Sequence, residues 1–465
     1  MQRLDSQVLT RLSAMSREEI LGLQFAKLKR QLERQYHGNA FYRARFDRAK
    51  VDLGRVCDLD GFSAIIPTMG KPDCLADQTA NPPFGARVGV SRREVVMVNL
   101  TGGTSGQGQE VYGRTNHDVA MQGYLHYLPW YLAGLRQGDL ALNCVPAGGL
   151  TTGGWGPGEG FRLAGATAFS VGGGMSTDAK IDLMLRFRDF AFIYASTSYL
   201  HTLTEALRKR HIDPKVAFPK MRTLFIAAEG YPVDWALRIQ EFWGIPVHEG
   251  YGSTQGAGFI ASTCDAGAVR DGRRGAMHVF DWHNVVEILD PETLRPAKAG
   301  EEGEIVLTNL DIVGSPVIRF RTGDKVRVVD PADPSCSRRW TAFEAGGMGR
   351  IDDMMKIRGN NIWPAAVDQV LFRTKAISEY AGRVYTSDSG RTEVEIRLAL
   401  GEEAAALADG QLPTLLDGIR GELKQVTNVN MELRIVDRTE LPNYDYKTRR
   451  WTDERKAGLS AGGKK

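Results

Sequence analysis

Between residues 141 and 252, short apolar runs alternate with longer amphipathic stretches, and few architectures accept that alternation. ALNCVP (141–146), AFIYAS (191–196), TLFIAA (223–228) and IPVHEGYG (245–252) have the length of strands and are rich in β-branched and aromatic residues. KIDLMLRFRD (180–189), YLHTLTEALRKR (199–210) and DWALRIQEFW (234–243) lie between them and read as helices. Strand and helix in regular succession predict α/β layering on a largely parallel sheet. The texture changes on either side. Near the N-terminus Leu21, Leu23, Phe25, Leu28 and Leu32 fall near helical spacing. After residue 270 runs such as PVIRFRTGDKVRVVD (316–330) are strand-rich with tight turns and predict a β subdomain. Beyond about residue 350, WPAAVDQVLFRT and LPTLLDGIRGELKQV read as helices, and EVEIRLAL and ELRIVD as strands. The expectation is a large N-terminal α/β domain over 1–350, of mixed sheets and helices with a β subdomain, and a small α/β domain over 351–465.

Composition removes several function classes. The 59 Lys and Arg against 56 Asp and Glu leave a formal charge of +3, too even for a dedicated nucleic-acid binder. No apolar run approaches the roughly 18 residues of a membrane span, and the charged N-terminus lacks the apolar core of a signal peptide. Cys57, Cys74, Cys144, Cys264 and Cys336 are scattered, odd in number and free of any C-x-x-C pair, which suits a reducing, cytoplasmic setting.

Five segments have the chemistry of a site. TGGTSGQGQ (101–109) follows a strand-like run and packs four glycines and three hydroxyls into nine residues. Backbone N–H groups and hydroxyls of such a loop can wrap phosphate oxygens, although the Walker lysine is missing. HEGYGSTQGAG (248–258) is a second glycine and hydroxyl turn after a strand. RFRTGDKVRV (319–328) places Asp324 at a turn, where a carboxylate can hold two ribose hydroxyls; an Asx turn is the plainer reading. GMGRIDDMMKIRGNNIWP (347–364) lies where the composition changes and reads as a linker or hinge. LPNYDYKTRRW (441–451) carries Lys447 among aromatics.

Taken in order, these segments resemble the core motifs of the adenylate-forming (acyl-AMP) ligases, from about residue 35 to 450. NAFYRARFD (39–47), IIPTMGKPD (65–73), SYL (198–200), AAEGYP (227–232) and GNNIWP (359–364) are similar to the phenylacetate-CoA ligase branch. The resemblance implies that ATP and a carboxylate form acyl-AMP, and that a thiol, usually of coenzyme A, then displaces AMP, with Mg2+ assisting. It implies a mobile C-terminal domain hinged at Asp352, which carries Lys447 to the reacting carboxylate and away again. Thr101, Thr104, Ser105 and Gly106 would hold phosphates, and Thr254 would contact the α-phosphate. Glu229, Gly230 and Tyr231 would line adenine, with Tyr251 and Gly252 beside the nucleotide. Asp324 would bind the ribose, with Arg350 nearby. The acid would meet Trp155, Ser198, Tyr199, Ala228 and Gly256. Trp155 and the glycines of GGLTTGGWGPGEG suit a flat ring, so an aryl or arylacetic acid is the expectation.

The chain departs from the pattern at three places. Gln107 stands where the phosphate loop usually has Lys. Gln255 replaces the Glu of Y-G-x-T-E that helps hold Mg2+; an amide oxygen still coordinates, but without charge. Some relatives of the branch carry a Cys/His cluster, and Cys264, His278 and Cys336 sit at comparable places, with Pro334 where another Cys would fall. A zinc site there needs a fourth ligand, for which His283 and Asp265 are candidates. Other readings stay open: transfer to a carrier-protein thiol or an amine, and a non-catalytic nucleotide-binding homologue. The expected partners are a small carboxylic acid and coenzyme A or a carrier protein, with no nucleic acid and no membrane; a homodimer is the default for an enzyme of this size.

Overall fold

The computed structural model describes residues 6–101, 108–331, 336, 338–351, 355–358, 360–387, 391–405, 407, 411–442 and 450–455. The alternating segment folds as its pattern predicts. β1 (Met97–Leu100) and β2 (Val111–Arg114) form an antiparallel pair. β3 (Leu140–Pro146), β4 (Thr167–Gly172), β5 (Phe190–Ser196), β6 (Thr223–Ala227) and β7 (Val247–Ser253) run parallel in the order β4-β3-β5-β6-β7. β8 (Gly258–Thr263) pairs antiparallel with β7. The sheet then continues as an antiparallel run through strands Ala276–Val279, Ala342–Glu344, Phe320–Val329, Glu302–Asn309 and Asn284–Leu289. The predicted β subdomain is thus an extension of the same sheet.

Every residue of β5 is buried, as expected for a strand with neighbours on both edges and helices on both faces. Successive residues serve opposite faces. Ile193, Leu224 and Ile226 join one core with Leu200, Leu203 and Ile239 of the helices that follow β5 and β6. Phe192, Tyr194 and Phe225 join another with Leu128, Trp130 and Phe161. Each such side chain contributes about 1.5–3 kcal/mol by leaving water.

The second core rests on the stretch that composition marked as glycine-rich backbone. Residues Thr152–Ala164 form a helix despite Pro157 and five glycines before Phe161. It packs against helix Asn116–Leu132, and the indole of Trp130 stacks on Phe161 with ring centroids 4.2 Å apart. The glycines make that approach feasible: a Cβ on Gly156 would stand 2.0 Å from the His126 ring, and one on Gly160 2.8 Å from Trp130. Tertiary packing here overrides the low helix propensity of glycine, about 1 kcal/mol per residue.

From Met355 to Trp451 a third core forms around Ile357, Leu371, Tyr380, Ile396 and Leu423. Its four-stranded sheet runs Glu432–Ile435, Thr392–Leu400, Ile377–Thr386, Trp451–Asp453, with helices Pro364–Leu371 and Gln411–Thr427 alongside. Among the described residues no helix is long and apolar enough to cross a membrane.

Candidate active site

The parallel register carries three of the marked segments to one end of the sheet. Ser196 pairs with Ala227, and Ala227 with Gly250, so the residues leaving β5, β6 and β7 emerge side by side. Open α/β sheets place ligand crevices at these carboxyl ends.

After β5, Ser196 caps helix Thr197–Lys209, its hydroxyl accepting the Tyr199 N–H at 3.2 Å. The Ser198 N–H donates to Glu229 Oε2 at 2.8 Å, and the Thr197 hydroxyl to the Glu229 carbonyl at 3.2 Å. These bonds join the segment after β5 to the one after β6. Tyr199 is buried, its hydroxyl 3.4 Å from that of Thr177 and its ring under the Lys180 ammonium at 4.3 Å.

After β6, the exposed Ala228 takes a positive φ of 81°, turning the chain. Gly230 then passes close under the segment 346–348: a Cβ there would lie 3.1 Å from the Met348 carbonyl oxygen. The Tyr231 N–H donates to the Gly346 carbonyl at 3.1 Å. Its hydroxyl donates to Glu249 Oε2 at 2.6 Å, and the Gly346 N–H donates to the same oxygen at 2.7 Å. Arg274 adds bonds to the carbonyls of Ala345 and Tyr231, both at 2.9 Å. Glu249 is a buried carboxyl in the middle of β7. Burial lifts it to about 7, against the hydrogen bonds from Tyr231 and Gly346 that pull it down.

After Glu249 on the same strand, the Tyr251 hydroxyl donates to Asp324 Oδ2 at 2.7 Å. Arg350 donates to Asp324 Oδ1 at 3.1 Å. Burial, with the carboxylate of Asp324 beside it, holds the Tyr251 phenol well above its ordinary value. Asp324 does not sit at a turn, as its T-G-D context predicts. It lies within strand Phe320–Val329, paired with Arg350 in register. The local signal reflects a real kink: Gly323 has a φ of 75°, and the register with Glu302–Asn309 shifts beside it.

Thr254, Gln255 and Gly256 form the turn between β7 and β8. Fully buried Arg114 of β2 holds this turn from below by donating to the Thr254 carbonyl, and its Nε reaches Asn99 Oδ1 at 3.3 Å. Burial pushes the Arg114 guanidinium down to about 10. Gly256 is buried against Ile260, and exposed Gly252 runs close to the Gly258 backbone, where a Cβ would stand 2.5 Å from the Gly258 carbonyl oxygen. Gln255 Nε2 donates to both carboxylate oxygens of Glu110 at 3.2 Å. Glu110 in turn closes the mouth of the glycine-rich loop. Its N–H donates to the Thr101 hydroxyl at 3.0 Å, and its carbonyl accepts the Thr101 N–H at 3.1 Å.

The structure therefore links Thr101, Ser198, Glu229, Gly230, Tyr231, Tyr251, Thr254, Gln255, Asp324 and Arg350 through direct contacts and shared strands. Trp155 stands apart from this circuit: it is 53% exposed on helix Thr152–Ala164, its N–H bonded to the Gly149 carbonyl at 2.6 Å. Thr104, Ser105, Gly106, Gln107, Pro334, Asp352 and Lys447 lie outside the described residues. Reading the sequence missed Glu249, Arg114 and Glu110. The signals were present: a charge inside each of two apolar strands, and an acid at the exit of a marked loop.

Cys264, His278 and Cys336 also converge, their ligand atoms all within 4.8 Å of one another. Both ring nitrogens of buried His278 have no hydrogen-bond partner. The contact with Cys336, and then His278, hold the Cys264 thiol below its ordinary value, although burial opposes them; the same contact raises Cys336. The two candidate fourth ligands are engaged elsewhere. His283 bonds Asp311 at 2.6 Å, and Asp265, 90% exposed, pairs with Arg338 at 3.1 Å.

Comparison with known proteins follows the same lines. A family model described as AMP-binding enzyme matches residues 64–312, and one described as AMP-binding enzyme C-terminal domain matches 359–455. The phenylacetate-coenzyme A ligase of Thermus thermophilus is 29% identical over 461 residues, covering 96% of this chain and 99% of the relative. That of Pseudomonas putida is 29% identical over 420 residues, covering 89% of each. A crystal structure of 2-hydroxyisobutyryl-CoA ligase in the postadenylation state superimposes with a TM-score of 0.84 at 24% identity, covering 97% of this chain and 93% of that one.

Proposed function

Since the chain belongs to the AMP-binding enzyme family, we propose that it is an AMP-forming carboxylate–CoA ligase, acting on an aromatic acid. The supporting observation is the circuit at the strand ends, where a carboxylate, an arginine, two tyrosines and a hydroxyl turn are joined by direct contacts and neighbouring strands. In the first half-reaction an acid oxygen attacks the α-phosphorus of ATP. A P–O bond forms there, the bond to the β-phosphate oxygen breaks, and pyrophosphate leaves. In the second, the sulfur of coenzyme A attacks the acyl carbon, its proton is lost, and the C–O bond to AMP breaks.

Each residue has a part in that scheme. Asp324, with one oxygen braced by Tyr251 and the other by Arg350, is pre-oriented to accept ribose hydroxyls. Glu229, Gly230 and Tyr231, tied to the segment after Glu344, line the adenine. The Thr254 hydroxyl, on a turn held by Arg114, contacts the α-phosphate. Thr101, with Thr104, Ser105 and Gly106, holds the departing phosphates. Lys447 offsets charge that builds up during adenylation. Mg2+, when bound, neutralises phosphate oxygens, and Gln255 offers it an amide oxygen. A boundary near residue 351, with Asp352 as hinge, lets the unit beyond it exchange Lys447 for the thiol. Ser198, Tyr199, Ala228 and Gly256 face the acid. Tyr199 supplies an aromatic wall, and the names of the relatives favour an aromatic substrate.

The Cys264, His278 and Cys336 cluster fits a zinc ion. It offers thiolate and imidazole donors around a common point, and an ion would satisfy one of the orphaned His278 nitrogens. Among the described residues it supplies three ligands, where a closed tetrahedral site takes four.

The test is pyrophosphate release with ATP and Mg2+ across aryl, arylacetic and aliphatic acids, with and without coenzyme A. Release selective for an aromatic acid, with a thioester formed when coenzyme A is present, is expected. Release without a thioester moves the acceptor to a carrier protein or an amine. No release with any acid refutes the proposal.

A further inference from the structure

Position 255 carries an amide where the family pattern has a metal-binding carboxylate, and the structure places another carboxylate directly behind it. Both oxygens of Glu110 lie 3.2 Å from Gln255 Nε2. Glu110 is only 2% exposed, and its Oε1 also accepts the Tyr112 hydroxyl at 3.0 Å. The guanidinium of buried Arg87 lies over the Tyr112 ring at 4.4 Å, with Nε and Nη1 lacking hydrogen-bond partners. Positive charge thus stands close to Glu110 without a hydrogen bond from those atoms to absorb it.

An amide facing a carboxylate must offer its NH2 group, because its oxygen would meet like charge. Gln255 Oε1 is therefore turned away from Glu110. A carboxylate at both positions would place two like charges about 3 Å apart, which is costly. One charge at either position is the favourable arrangement, and this chain has it at 110.

We propose that Glu110 supplies the negative charge missing at position 255. It locks the Gln255 amide with its oxygen presented and, through the polarised amide, strengthens that oxygen as a ligand for the divalent cation that accompanies ATP. Glu110 is a positioning residue. The proposal rests on the adenylation reading and adds to it a relocated charge.

The experiment measures binding of α,β-methylene ATP by calorimetry as a function of Mg2+ concentration, for the parent, Glu110→Gln, Gln255→Glu and the double variant. Glu110→Gln should raise the Mg2+ needed for half-maximal binding about 10-fold or more, the usual effect of losing an outer-shell partner. Metal-free analogue binding should stay unchanged. The double variant, which moves the charge to 255, should return to within about 3-fold of the parent. If Glu110→Gln keeps the parental Mg2+ dependence, or the double variant is no better than Glu110→Gln, the proposal is overturned. Should Glu110→Gln fail to melt cooperatively, Gln255→Leu replaces it: on a half-buried turn it removes the amide oxygen and should also raise the Mg2+ requirement, and no change there is equally decisive against the idea. Absence of analogue binding by the parent at every Mg2+ concentration would refute the adenylation reading itself, and with it this proposal; parental binding whose Mg2+ dependence survives these changes refutes the relocated charge alone.

Discussion

Replacing Glu249 by glutamine should make the protein more stable above neutral pH and leave it unchanged in acid. The carboxyl is wholly buried within β7 and is lifted from an ordinary 4.5 to about 7, because burial disfavours its charged form more than the bonds from Tyr231 and Gly346 favour it. A carboxyl with a raised folded value holds its proton more tightly in the fold than in the unfolded chain. Its contribution is therefore complete below about pH 4.5, falls as pH rises from there to about 7, and is lost above that. The gap between the two values corresponds to about 3 kcal/mol. Glutamine keeps the shape and an oxygen to accept from the Tyr231 hydroxyl and the Gly346 N–H, yet never ionises. Glu249→Gln should thus gain up to about 3 kcal/mol over the parent at pH 8. The gain should shrink to nearly nothing at pH 4. The assay is urea unfolding of both chains side by side at intervals of pH, with equal slopes required so that midpoints report stability. A difference independent of pH, or a variant less stable at pH 8, would refute the reasoning. Glu249→Ala serves as a contrast: it strands two buried donors and should lose about 2–4 kcal/mol in acid, a loss that shrinks by about 3 kcal/mol above pH 7 because alanine, like glutamine, carries no titrating carboxyl.

Asp324→Asn should raise the KM for ATP about 10–100-fold, because a charge-assisted hydrogen bond is worth about 1.5–3 kcal/mol; steady-state kinetics with ATP varied checks it, and an unchanged KM removes Asp324 from the ribose. Lys447→Ala should slow acyl-AMP formation at least about 100-fold yet spare thiolation of supplied acyl-AMP; equal loss of both half-reactions would sink the role given to Lys447. Purified protein should carry about one zinc per chain, and Cys264→Ser should lose it with a fall in melting temperature. Metal analysis before and after chelation decides, and a parent without zinc whose melting ignores chelator ends that reading. Gly156→Leu should prevent helix Thr152–Ala164 from seating against His126, at a cost of about 1–3 kcal/mol or more, read as a lower unfolding midpoint.

Periodicity and motif order were legible in the chain because both are local. β3, β5, β6 and β7 appear within a residue or two of the runs that predicted them, since a strand buried on both faces must be apolar throughout. The marked segments at Ser198, Glu229–Tyr231 and Tyr251–Gln255 fell at strand ends for the same reason: glycine and hydroxyl residues follow where an apolar run stops. The likeness between Cys264, His278 and Cys336 and a metal cluster rested on their residue types at places comparable to those of the branch's cluster, and the fold brings the three together. What one dimension could not contain is burial and partnership across sequence. Asp324 looked like a turn residue until the structure paired it with Tyr251, 73 positions away. Glycine content at 152–164 suggested room for a flat ring, whereas packing against His126 and Trp130 makes those glycines the condition for a helix. Glu249 is an unremarkable acid in the sequence and an ionisable brace in the fold, because only the surrounding core removes its water. Gln255 read alone is a lost charge; beside Glu110 it is one half of a pair. Composition and spacing determine which segments become strands and which turns follow them, while the charge state and orientation of each side chain depend on neighbours that only tertiary packing brings within a few ångströms.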